Sequence, residues 1–201
     1  MKTTIRFVAI FCFCIINLQA IYSQAEQYPN ETIKTIHNRK SVRHFTGDAV
    51  SKEQVEILLK AAMAAPSAVN KQPWAFMVIN KRDRLDSLAV GLPYTKMLMK
   101  AGAAIIVCGD LSKALEGKSA ELWKMDCMAA SENILLAAES LGLGAVFTAV
   151  YPDDDKINFV SKFFKLPKNI IPLCVIPIGK PTGEDKPKDK YKSDNIHWDS
   201  W

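Results

Sequence analysis

"MAAPSAVNKQPWAFMVI", Met63 to Ile79, joins the end of one apolar pattern to the start of another through an unusually polar connection. An ordinary helix-to-strand link needs only a few turn residues. This one places Ser67, Asn70, Lys71 and Gln72 between Pro66 and Pro73, which fix the backbone at either end. Asn and Gln offer donors and acceptors together, a match for the edge of a heterocycle. The alternative reading is a capped turn that does nothing else.

Working outward, "SKEQVEILLKAAMAA" (51–65) opens with a capping Ser51, has Gln54 three residues later, and repeats Val55, Leu58, Leu59 and Ala62 on one face. That pattern predicts a helix. On the other side, "WAFMVIN" (74–80) predicts a buried strand and "KRDRLDSLAV" (81–90) an exposed short helix. "AAIIVCGD" (103–110) predicts a second strand, and "SAELWKMDCMAASENILLAAESL" (119–141) a long helix, apolar on most faces, that is either central or at a subunit interface. "LGAVFTAV" (143–150) and "IIPLCVIPIG" (170–179) predict strands three and four, with the helix "PDDDKINFVSKFFKL" (152–166) between them. Near the start, "NETIKTIHNRK" (30–40) has Ile33 and Ile36 at helical spacing with Asn30 as its cap. One mixed α/β domain accounts for the pattern.

Of the 201 residues, 49% are hydrophobic and 23% charged, ordinary for a globular domain. The first 25 have a different character: Lys2 and Arg6, then an apolar run from Phe7 to Ile16, then Ser23-Gln24-Ala25 as a small-x-small cleavage site. They read as a secretory signal peptide, with a mature domain over 26–201 and an exported, periplasmic address. The apolar run is about half the ~20 residues of a spanning helix, which disfavours an uncleaved anchor. Phe11 and Phe13 before Cys12 and Cys14 disfavour a lipoprotein. The mature chain carries 24 basic and 21 acidic residues, a net +3 that is too small to argue for nucleic acid or membrane partners. Its three cysteines, Cys108, Cys127 and Cys174, form no disulfide framework and read as buried thiols, with one bridge left open. His37, His44 and His197 share no metal-ligand spacing.

Two further stretches bear on chemistry. In "NRKSVRHF", Arg39, Lys40 and Arg43 surround Ser41 within five positions; guanidinium forks and a hydroxyl suit a phosphate, although a solvated basic loop is the commoner meaning of such a run. "LGLGAV" ends a helix and opens a strand, the reverse of a dinucleotide fingerprint, so Gly142 reads as a helix C-cap. Asp126, on the apolar long helix three residues after Trp123, is either a buried anchor or a surface residue, and the core reading is favoured.

"RKSVRHF", "APSAVNKQPWAF" and "LWKMDCMAASENILLAAESLGLGAVF", in this order, resemble the FMN-dependent nitroreductase family across essentially the whole mature chain. The resemblance implies an α+β homodimer with a central, mostly antiparallel sheet of four to five strands flanked by helices. It also implies a C-terminal segment reaching over the partner, and one FMN in each of two interface clefts. Arg39, Ser41 and Arg43 then match positions that hold the flavin phosphate and ribityl chain, with Lys40 beside them. Pro66, Ser67, Ala68 and Asn70 match the segment that reaches the flavin from the other subunit, and Lys188 and Lys190 match basic residues that complete the phosphate pocket. The chain departs from the family at Tyr94 and Met97, where an Asn and a Lys are common, and at Phe147 to Ala149.

The implied activity is two-electron, ping-pong reduction of a nitroaromatic, quinone or similar small acceptor, with no catalytic side chain required because the flavin carries the redox chemistry. NAD(P)H is the implied donor, although an exported chain would lie outside the cytoplasmic NAD(P)H pool. A non-enzymatic periplasmic flavin-binding or electron-carrier protein is the rival expectation.

Overall fold

The computed structural model describes residues 28–201, so the segment read as a signal peptide lies outside the described residues. The chain divides after Asn38. The described part of the first unit is helix α1 (Glu31–Asn38), whose cap is the one expected: the Asn30 side chain accepts the Ile33 N–H at 3.0 Å.

The second unit, Arg39–Trp201, contains helices α2 (Lys52–Met63), α3 (Arg82–Gly91), α4 (Trp123–Ser140) and α5 (Asp154–Phe164). Its strands are β1 (Trp74–Ile79), β2 (Ala103–Asp110), β3 (Gly144–Ala145), β4 (Thr148–Ala149) and β5 (Ile170–Gly179). They form one five-stranded antiparallel sheet of order β1-β2-β5-β3, with β4 also on β5. This is the α+β architecture expected from the sequence. The two long central strands pair from Ala103 opposite Ile178 to Asp110 opposite Ile170.

Every residue of β2 is buried, which explains why its sequence is an apolar run up to Asp110 rather than an alternation. Alternate residues still serve different faces. Ile105 and Val107 pack with Leu58 and Ala62 of α2 and with Cys127, Ala130 and Ile134 of α4. Ala104 and Ile106 pack with Leu85 and Leu88 of α3 and Val160 of α5. A helix pair therefore covers each face of the sheet.

Three local expectations are modified. The long helix is a 3₁₀ stretch over Gly117–Leu122 before α4 proper begins at Trp123, whose ring lies so close over β2 that a Cβ at Gly109 would fall 2.2 Å from its Cε3. "LGAVFTAV" is not one strand. It splits into β3 and β4 at Val146 and Phe147, and at the start of β4 Thr148 Oγ1 donates to the Val175 carbonyl at 2.5 Å. α3 is not simply exposed, since Leu85, Leu88 and Ala89 are buried. At the end of α4, Leu143 N–H reaches the Ala138 carbonyl and Gly142 N–H the Glu139 carbonyl around Gly142 at φ 69°, the paired bonds of a Schellman cap. Among the described residues, no helix is long and apolar enough to cross a membrane.

Candidate functional site

The basic segment is held at the end of the sheet by its apolar neighbours. Val42 and Phe45 are buried, Ser41 bridges Ala145 of β3, and Val42 N–H donates to the Ala145 carbonyl at 3.0 Å. Gly144 lets this happen, because a Cβ there would sit 2.5 Å from Val42 Cγ1. Burying Val42 leaves Ser41 and Arg43 exposed on either side of it.

The cations of the segment do not share one environment. Arg39 Nε lies 3.1 Å from Glu132 Oε1, and Lys40 Nζ lies 2.9 and 3.0 Å from the two oxygens of Glu139. Glu132 and Glu139 are two turns apart on α4, so one helix face carries both carboxylates. Lys40 thus directs its ammonium to Glu139. Among the described residues, the Arg43 guanidinium has no carboxylate partner in an ion pair, and neither do Lys188 and Lys190 on the exposed tail.

The 63–79 connection is built by a different anchor. Asp126, buried in the first turn of α4, accepts the Ala68 N–H at 2.9 Å. Ser67 Oγ accepts the Gln72 N–H at 3.0 Å, and Gln72 Nε2 donates to Asn70 Oδ1 at 3.0 Å. Three non-glycine residues in this short loop have positive φ: Val69 at 52°, Asn70 at 55° and Gln72 at 51°. Asn tolerates that region through its short polar side chain, whereas a β-branched Val does not. Val69 is also 82% exposed, so no burial compensates for its conformation. Such strain, of order 1 kcal/mol or more per residue, persists only where surrounding bonds impose it, and it concentrates at sites that contact ligands.

Beyond the two segments, Tyr94 is exposed at φ 61°, Met97 packs into the core on the α3 side, Phe147 packs into the core on the α4 side, and Ala149 is exposed. The three thiols are free and buried, each pushed up to about 12 by burial. They offer no nucleophile.

The structure joins Arg39–Arg43 to α4 and β3, and joins Pro66–Asn70 to α4 through Asp126. Among the described residues, no hydrogen bond or ion pair links these two segments to each other. Sequence reasoning missed Glu132 and Glu139, although two carboxylates seven residues apart on an apolar helix were a readable signal. It also missed Asp185, whose Oδ2 accepts the backbone N–H groups of Arg43 and His44 at 2.9 and 3.1 Å. Nothing in the charged tail marks that residue out.

The model of the nitroreductase family matches residues 36–94 and 88–180. A Methanothermobacter thermautotrophicus protein, provisionally named an NADH dehydrogenase/NAD(P)H nitroreductase, is 42% identical over 171 residues, covering 85% of this chain and 88% of its own. A solved structure from Parabacteroides distasonis under the same provisional name superposes with a TM-score of 0.81 at 49% identity, covering 86% of this chain and 99% of that one. The FMN-dependent nitroreductase of Clostridium difficile superposes with a TM-score of 0.75 at 26% identity, covering 83% and 98%. Matches of that extent, on a sheet and helix arrangement they share, place this chain in the nitroreductase family.

Proposed function

We propose that the protein is an FMN-dependent oxidoreductase that takes two electrons from a reduced donor and passes them to a small acceptor such as a nitroaromatic or a quinone. The observation that carries this reading is the exposed Ser41–Arg43 pair, whose guanidinium has no carboxylate partner among the described residues, on a segment locked to β3. A guanidinium and a hydroxyl carried by a backbone held in place are the donor set of a phosphate site. The name of the C. difficile neighbour supplies the flavin.

The residues present suit that group. Arg39, Ser41 and Arg43 would hold the phosphate and ribityl chain, with Lys40 beside them neutralised by Glu139, and Lys188 and Lys190 would add charge from the tail. Pro66, Ser67, Ala68 and Asn70 would meet the ring. Membership of the nitroreductase family supports a homodimer in which the loop and the basic segment serve one flavin from different subunits. FMN, when bound, supplies hydride acceptance and release. The chain's own part is to bind it, orient it and leave its face open to donor and acceptor in turn, which needs no nucleophile. NAD(P)H is the proposed donor, and export through residues 1–25 the proposed address.

The deciding experiment is the absorption spectrum of the purified protein, followed by turnover with NAD(P)H or dithionite against a nitroaromatic and a quinone. Near-stoichiometric flavin with turnover is expected. Colourless protein that takes up no added FMN would refute the reading, and bound flavin without turnover would make it an electron carrier instead. Cell fractionation with N-terminal sequencing tests the address: a soluble chain starting near Glu26 is expected, and intact Met1 in the membrane fraction would make residues 1–25 an anchor.

A further inference from the structure

We propose that Asp185 is a positioning residue for the phosphate end of the cofactor site, setting the directions of both Arg43 and the lysine-bearing tail with one carboxylate. The inference rests on the reading above that Arg43, Lys188 and Lys190 receive a flavin phosphate.

The chain returns from the sheet along the basic segment as a short two-stranded ribbon. Thr46 N–H donates to the Lys180 carbonyl, Thr182 N–H donates to the His44 carbonyl, each at 3.0 Å, and Phe45 bridges Pro181. These contacts, with Phe45 buried in the core, hold the two segments together without any help from Asp185. Past Thr182 the chain must turn. Gly183 takes φ 94°, a backbone conformation that side chains rarely adopt, and the turn is tied by Thr182 Oγ1 to Glu184 Oε1 at 3.0 Å and by Lys186 Nζ to the Gly183 carbonyl at 2.8 Å. That turn delivers Asp185 back onto the ribbon's end.

There a single oxygen, Oδ2, accepts Arg43 N–H at 2.9 Å and His44 N–H at 3.1 Å, and lies 3.2 Å from His44 Nδ1. Two successive backbone N–H groups aimed at one acceptor restrict the backbone between them, and with it the direction in which the Arg43 side chain leaves. The same bonds fix where residue 185 sits, three residues before Lys188 and five before Lys190. Its side chain is only 15% exposed. The two N–H donors also offset the charge of a carboxylate that would otherwise repel a phosphate. The arrangement is prebuilt, so the cations need less ordering when an anion arrives.

Riboflavin, which lacks the phosphate, separates this role from a general structural one. Flavin-free protein is titrated with FMN and with riboflavin. The unmodified protein is expected to prefer FMN. Asp185→Ala should weaken FMN about tenfold or more while leaving riboflavin unchanged, since charge-assisted contacts depend steeply on placement. Asp185→Asn, whose amide oxygen can accept both N–H bonds, should keep most of the preference. A folded Asp185→Ala protein with the same FMN-to-riboflavin ratio as the unmodified one would overturn the positioning role, as would equal weakening of both flavins. An unmodified protein that does not distinguish the two would instead overturn the phosphate site itself. If Asp185→Ala does not fold, amide hydrogen exchange on the unmodified, flavin-free protein decides: protection of the Arg43 and His44 amides by about 100-fold is expected for hydrogen-bonded groups of this kind, and exchange at the rate of an unstructured chain would refute prebuilding.

Discussion

Replacing Asp126 with Ala tests how the strained loop is held, and the structure allows the size of the effect to be worked out. Asp126 is 7% exposed and its carboxylate accepts the Ala68 N–H at 2.9 Å, a largely buried bond to a carboxylate that contributes about 2 kcal/mol. Four neutral bonds of the loop, Gln72 N–H to Ser67 Oγ, Gln72 Nε2 to Asn70 Oδ1, Asn70 N–H to the Ser67 carbonyl and Lys71 N–H to the Ala68 carbonyl, contribute about 1 kcal/mol each. Against this total of about 6 kcal/mol stand three positive-φ residues at about 1 kcal/mol each. Without Asp126 the remaining bonds supply about 4 against about 3, so the margin holding the presented form falls from about 3 to about 1 kcal/mol and the loop loosens. The bond removed bounds the weakening: about 2 kcal/mol is at most roughly thirtyfold by the factor of ten per 1.4 kcal/mol. FMN and riboflavin should weaken equally, because the loop is assigned to the ring and not the phosphate. The assay is fluorescence titration of both flavins, with hydrogen exchange across residues 67–72. Asp126→Asn keeps an acceptor and should lie between the extremes. Unchanged flavin affinity in a folded Asp126→Ala protein, or a loss confined to FMN, would refute this account of the loop.

Other expectations follow from the same geometry. Arg43→Glu and Asn70→Asp should each abolish flavin binding as homodimers, while a dual-tagged mixed dimer of the two should recover about one FMN, since symmetry pairs the intact residues in one cleft; a folded mixed dimer with none would place each site within a single chain. Asp110 is held down at about 2 by the Ser112 hydroxyl against the opposing effect of burial, with Asn169, Lys113 and the Ser112 N–H assisting. A depressed folded value means its contribution is complete above the ordinary value of 3.8 and is lost as pH falls from there through about 2. Acid denaturation should therefore show a limb in that window that Asp110→Asn removes, and an identical acid profile in the variant would count against it. Cys108, Cys127 and Cys174 should resist a thiol reagent at neutral pH in the native protein and react on unfolding; rapid native labelling would show that these positions open to solvent.

The sequence by itself determined the elements whose signals are local. Ser51 and Gln54 predicted the start of α2, and both halves of that capping box are formed. The apolar runs at 74–80, 103–110 and 170–179 predicted the three long strands, and Gly142 predicted the end of α4, because a strand's burial and a helix's cap are written into adjacent residues. The order of three short stretches was enough to point to the family. What sequence could not decide is which charge meets which. Arg39, Lys40 and Arg43 look alike in a line of text, yet folding sends the first two to Glu132 and Glu139, about a hundred residues away, and leaves the Arg43 guanidinium outside any ion pair among the described residues. Asp126 reads in sequence as a buried anchor in preference to a surface residue, but what it anchors is settled only when α4 is laid against the 63–79 connection. Asp185 is one acidic residue among several in a charged tail until Gly183 turns it onto two N–H groups 141 and 142 residues away. Hydrogen bonds and ion pairs act over about 3 Å of space with no regard for separation along the chain, so the partners of a charge are fixed only when the tertiary structure brings them together.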